Sequence, residues 1–168
     1  MTALLALTAT AWRAFRLYAL ALAVVLPVAP KSELAARAIA YVATVDPPLF
    51  EDDTTGDLTE AVLLANARQE STFNVDAVGK AGEVGLMQIW KGSAAMRDPV
   101  TNVRESLRQL RISYAMAPRC PFCAYLGGPR GIASARVRRL SAHREALAAS
   151  VLRDMTAPDL SAAVSVRP

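Results

Sequence analysis

The stretch from Leu58 to Ser71 constrains this chain most. Ala61, Val62, Leu63, Leu64, Ala65 and Ala67 make it apolar on nearly every side, and a helix with no polar face has to be surrounded by other elements. A buried central helix is therefore expected, with the rest of one domain packed around it. Asp57-Leu58-Thr59-Glu60 reads as a capping box at its start, and Glu70 rides at its far end. The chain has 168 residues, 53% of them apolar, enough for one core. Aromatics are only 6% and β-branched runs are few, which favours helix over sheet. The expected fold class is all-α, mainly helical with a short loop or hairpin.

Other elements follow from periodicity and punctuation. Ser32 can cap a helix whose apolar positions Leu34, Ala35, Ala38, Ile39 and Val42 recur at three- and four-residue steps, and Asp46-Pro47-Pro48 ends it. Glu51 to Gly56 reads as an acidic linker. Gly79, Gly82 and Gly85 are expected to supply the unusual φ values of a tight loop or short hairpin between 72 and 88. A further helix is predicted from Asp98-Pro99, with Val103, Leu107, Leu110 and Tyr114 along one stripe, and Pro118 stops it. Arg119 to Gly131, rich in Pro, Gly and Cys, reads as a loop. Ser134 to about Met155 reads as one broken or two short helices capped at Ser134 and Ser141. The Ala/Ser/Val-rich tail, 156–168, carries little pattern and is expected to fray.

Leu17 to Pro30 is uncharged and apolar, follows Arg13 and Arg16, and is short for a span of ~20 residues. Three readings of residues 1–30 stay open: a cleavable signal peptide ending near Ala29, a retained membrane anchor, or an ordinary amphipathic helix. The domain proper then covers 31–155, and the expected location is exported, either periplasmic or membrane-anchored. The net charge is +4, half of it from Arg13 and Arg16, a balance that predicts no nucleic-acid partner. Arg136, Arg138 and Arg139 form a local basic cluster that reads either as a solvated helix face or as a track for an anionic polymer.

Chemistry concentrates around Glu70. Glu70-Ser71-Thr72-Phe73 is followed by Gly82-Glu83-Val84-Gly85-Leu86-Met87-Gln88-Ile89, so a carboxyl at a helix end meets a Gly-punctuated loop bearing an amide. Protonating a glycosidic oxygen requires an acid that still holds its proton near neutral pH, and apolar surroundings together with the negative end of a helix favour a protonated carboxyl. Those are the surroundings expected for Glu70.

These residues, at this spacing, resemble the soluble lytic transglycosylase family of lysozyme-like fold. The resemblance continues through Ser93-Ala94, Asp98-Pro99 and Asn102 to Tyr125-Leu126-Gly127-Gly128-Pro129, covering about residues 58 to 130. It implies cleavage of the peptidoglycan strand between N-acetylmuramic acid and N-acetylglucosamine. Glu70 would be the single acid/base, and the sugar's own C6 hydroxyl would replace water to leave a 1,6-anhydromuramic end. No cofactor and no metal is implied. By the same resemblance Ser71, Gly85, Met87, Gln88 and Tyr125 are the substrate-binding residues: Gln88 bonds a substrate N-acetyl or hydroxyl group, Met87 lines the sugar pocket, and Tyr125 sits near Glu70 with its hydroxyl aimed at the carboxyl or the substrate. Ser71 belongs to the motif, although its residue type and position also suit a helix-end cap.

The sequence departs from the family pattern where Glu83 replaces a usual Ala, Gly79 a frequent Ser, Ser106 a helix Gly, and Leu126 the Asn after the tyrosine. A carboxylate at Glu83 opens a second mechanism, water activation in a hydrolytic muramidase. A third reading is a glycan-binding or assembly protein that holds the wall without cutting it. Host remodelling, a secretion or conjugation machine, and a phage virion or lysis role stay open as settings.

Cys120-Pro121-Phe122-Cys123 has glutaredoxin-like spacing but lacks the strand and long helix that this chemistry needs. Two cysteines and one His143 are too few for a structural zinc site, and in an exported chain a local disulfide is expected. Trp90 reads equally as core or as a sugar-stacking surface.

Overall fold

The computed structural model describes residues 31–90 and 93–156. The leading segment 1–30 and the tail beyond Thr156 lie outside them, and so do the export, anchor and fraying expectations attached to those segments. Five α-helices are described: α1 Lys31–Val45, α2 Asp57–Ser71, α3 Pro99–Met116, α4 Cys123–Gly131 and α5 Ala135–Thr156, with a 3₁₀ turn over Ala94–Arg97. Among the described residues there is no named strand, only bridges within 78–89. The all-helical class with a short hairpin-like loop is what the sequence predicts. No described helix is long and apolar enough to cross a membrane.

The described residues form two compact units, one from 31–47 with 67–108, the other from 48–66 with 109–156. In the first unit Ala35, Ala38, Ile39, Val42 and Ala43 bury the inner stripe of α1, while Leu34 stays 36% exposed. Val103 and Leu107 of α3 and Leu86 and Met87 of the loop are fully buried. Exposed ion pairs fasten its edges: Arg104 Nε reaches Asp46 at 3.1 Å and its guanidinium lies 5.7 Å from the Tyr41 ring centre, and Lys31 pairs with Asp76 at 2.8 Å. At such exposure each contributes at most ~1 kcal/mol.

In the second unit α2 contributes Ala61, Leu63 and Ala65, all at 0% exposure, as its apolar composition requires. The acidic stretch before it is more than a linker. Asp53, only 7% exposed, accepts from the Leu58 and Thr59 N–H groups and from the Thr59 hydroxyl, the last at 2.6 Å. The Thr59 hydroxyl accepts in turn from the Leu49 N–H at 2.8 Å. The carboxylate that satisfies these first-turn donors thus comes from four residues before Asp57.

Two expectations fail here. The Pro- and Gly-rich segment is not all loop, since α4 occupies Cys123–Gly131. Gly128 breaks the helix with φ 60 and ψ −166, so Pro129 follows the break and begins a fresh turn, where its missing N–H costs nothing. A disulfide joins Cys120 to Cys123 and the Cys123 N–H bonds the Cys120 carbonyl at 2.9 Å, compacting the turn that precedes α4. Likewise α5 is one continuous helix. Ser134 is its cap, accepting from the Val137 N–H through its hydroxyl and from the Arg138 N–H through its carbonyl, but Ser141 is fully buried mid-helix, where it accepts from the Phe122 N–H and donates to Glu145.

Candidate functional site

Glu70 lies half-buried in the last turn of α2, within the first unit. The Ser71 hydroxyl donates to the Ala67 carbonyl one turn back, the helix-end role that its residue type suggests. The chain then leaves the helix abruptly. Thr72 and Phe73 both take left-handed conformations, φ 52 and 61, which non-glycine residues adopt at a cost. Asn74 closes the turn, its N–H on the Ser71 carbonyl and its side chain accepting from the Asp76 N–H. No glycine announces this reversal in the sequence. Thr72 is exposed and β-branched, so Thr72→Gly is expected to raise unfolding free energy by about 1 kcal/mol by removing backbone strain; urea denaturation checks it, and an unchanged or lower midpoint would show that no strain is held there.

The loop that follows is ordered by one buried side chain. Asn102, 1% exposed on α3, accepts from the Met87 N–H at 2.7 Å and donates to the carbonyls of Val84 at 3.0 Å and Met96 at 2.9 Å. Gly85 has φ 78, and a Cβ there would lie 2.5 Å from Asn102 Nδ2 and 2.9 Å from the Met96 carbonyl oxygen. Both the turn and the close approach therefore require glycine. Gly79 serves differently than expected: its φ is not positive, but a Cβ would collide with the Glu83 carboxylate and lie 2.8 Å from Gln88 Oε1. Two of the four departures from the family pattern, Gly79 and Glu83, thus occupy one place.

Gln88, itself at φ 49, donates through Nε2 to the carbonyls of Gly85 at 2.9 Å and Ala77 at 3.3 Å. Its amide is thereby fixed in orientation. The half-buried Glu83 accepts from the Ala81 N–H at 3.0 Å. Leu86 and Met87 are at 0% exposure, whereas Trp90 is 61% exposed and is not core. Glu70, Ser71, Glu83, Gly85, Met87 and Gln88 therefore belong to one compact unit.

Tyr125 belongs to the second unit. Its hydroxyl accepts from Asn66 Nδ2 at 2.9 Å, its N–H donates to the Ser113 hydroxyl at 2.9 Å, and its ring meets Phe122 edge-on with centres 6.5 Å apart. Asn66, fully buried, accepts from the Arg144 guanidinium through Oδ1, and Arg144 lies 5.8 Å from the Phe122 ring centre. Sequence reasoning missed both. The signal for Asn66 was a polar residue inside an otherwise apolar helix; Arg144, beside the exposed His143, looked solvated but is 8% exposed. Among the described residues no group of three His, Cys, Asp or Glu side chains could hold a metal ion.

The fold is all-helical, with a carboxyl at a helix end and a hydrogen-bonded Gly-Leu-Met-Gln loop in the same compact unit. The chain belongs to the transglycosylase SLT domain family, whose model matches residues 48–147. That family cleaves peptidoglycan. No curated protein and no solved structure matches the chain significantly.

Proposed function

We propose that this chain is a lytic transglycosylase acting on the bond between N-acetylmuramic acid and N-acetylglucosamine, with Glu70 as its single acid/base. Glu70 gives its proton to the glycosidic oxygen as the C1–O bond breaks. The muramic C6 oxygen then closes onto C1 and its proton returns to Glu70, so water is not consumed. What supports this reading best is that the Glu70 turn and the Gly85–Gln88 loop fall in one compact unit and are held by fixed hydrogen bonds. Gln88, with Nε2 committed to loop carbonyls, presents Oε1 as an acceptor for a substrate N–H. In the same proposal Met87, fully buried, supports the loop from within.

Export of the chain is part of the proposal, because its substrate lies outside the cytoplasm. The test is release of soluble fragments from purified peptidoglycan by the full chain. Release is expected; sedimentation of the protein with intact peptidoglycan and no release would make it a glycan-binding protein instead.

A further inference from the structure

The segment from Ala77 to Trp90 carries a register that bears on substrate choice. Val78 pairs with Val84 and Val84 with Ile89, both antiparallel. Val84 and Ile89 exchange their backbone bonds at 3.0 and 3.1 Å, while the Gly79 N–H reaches the Glu83 carbonyl and the Gly85 N–H the Ala77 carbonyl, each at 2.8 Å. This pairing sets Gly79, Glu83 and Trp90 in one cross-strand row and Ala77, Gly85 and Gln88 in the next row but one. Alternate rows share a face. The side-chain positions agree, since the Glu83 carboxylate and Gln88 Oε1 both converge on the space that a Cβ of Gly79 would fill.

The Glu83 carboxylate and the oriented Gln88 amide oxygen thus meet where the absent Gly79 side chain leaves room for them, and Trp90, 61% exposed, follows in the Glu83 row. The chemistry is that of a receptor for an N–H-rich cation carried on an apolar ring. An acetamido group offers one N–H and brings a carbonyl oxygen toward two acceptors. A protonated amine offers three N–H donors and a positive charge, which both the carboxylate and the indole face attract. We infer that this face is a subsite for a hexosamine whose nitrogen is a free, protonated amine, so that the preferred substrate is a glycan strand containing de-N-acetylated glucosamine. The inference rests on the glycan-cleaving reading above and adds a preference to it.

Equilibrium titration of the full chain carrying Glu70→Gln tests it, with glucosamine oligomers and N-acetylglucosamine oligomers of equal length as the two probes at low salt. The free-amine oligomer is expected to bind roughly five- to tenfold more tightly, the scale of a partly exposed ion pair combined with a cation–π contact. Adding Glu83→Gln, which keeps an acceptor for the Ala81 N–H, should bring the ratio near one. Gly79→Ala should also reduce it by pushing the Glu83 carboxylate aside, and Trp90→Ala should weaken both probes. Equal affinities in the parent, or a preference that survives Glu83→Gln, would overturn the subsite. Native and chemically de-N-acetylated strands digested by the Glu70 chain separate the two claims. Cleavage without preference removes the subsite alone; preference in binding with neither strand cut removes the catalytic reading and leaves the subsite standing.

Discussion

Glu70→Gln is expected to lower the rate of glycan-strand cleavage by at least about 10²-fold while leaving the unfolding midpoint nearly unchanged. The amide matches the carboxyl in shape but cannot deliver a proton to the leaving oxygen, and general acid catalysis contributes on the order of 10²–10⁴-fold. Folding is spared because Glu70 is only half-buried, in the last turn of a helix whose apolar residues lie in earlier turns. Release of dye-labelled peptidoglycan fragments, read beside thermal unfolding of the same preparation, measures both halves. A folded Glu70→Gln chain that keeps most of its activity would remove Glu70 from the chemistry.

Asn102→Ala should cost roughly 3–5 kcal/mol of stability, since it strips the partner from three backbone groups, the Met87 N–H and the Val84 and Met96 carbonyls. Each buried group left unsatisfied costs about 1–3 kcal/mol, and water entering the vacated space offsets part of the sum. Activity should fall as well, because Gln88 takes its orientation from a loop that Asn102 holds. Asn102→Asp keeps the acceptor for the Met87 N–H but turns two donors into an oxygen facing carbonyls, so it should be no better than the alanine variant. A loss under about 1 kcal/mol for Asn102→Ala in urea unfolding would mean that the loop is ordered by other contacts.

The elements legible in the sequence were those written by periodicity and caps. The α1 stripe, the apolar α2, and Asp98-Pro99 ahead of α3 appear where residue spacing put them, with Asp98 accepting from the N–H and hydroxyl of Thr101. What stayed hidden depends on partners distant in sequence. Asp53 looks like a linker residue until Thr59 closes onto it, and Ser141 looks like a cap until the Phe122 N–H reaches it. Composition misled over α4, where a single glycine break reconciles Pro129 with a helix.

The candidate site shows the same division. Glu70, Gly85 and Gln88 could be named from motif spacing, because the proposed chemistry calls for those residue types. The left-handed pair Thr72-Phe73 could not, since neither residue prefers that conformation. Nor could the support of Tyr125 by Asn66 and Arg144, which joins side chains 59 and 78 residues apart in sequence. Glu83 and Gly79 look like two separate substitutions in the sequence and share one space in the fold.

The central claim is that one carboxylate and the sugar's own hydroxyl cut the strand, and the mass of the new fragment ends tests it most directly. Purified peptidoglycan digested to completion by the full chain, then resolved by mass spectrometry, should yield muramic ends lighter by one water than reducing ends, the mark of 1,6-anhydro closure. Fragments bearing ordinary reducing muramic ends would show that water is the nucleophile and would contradict the account.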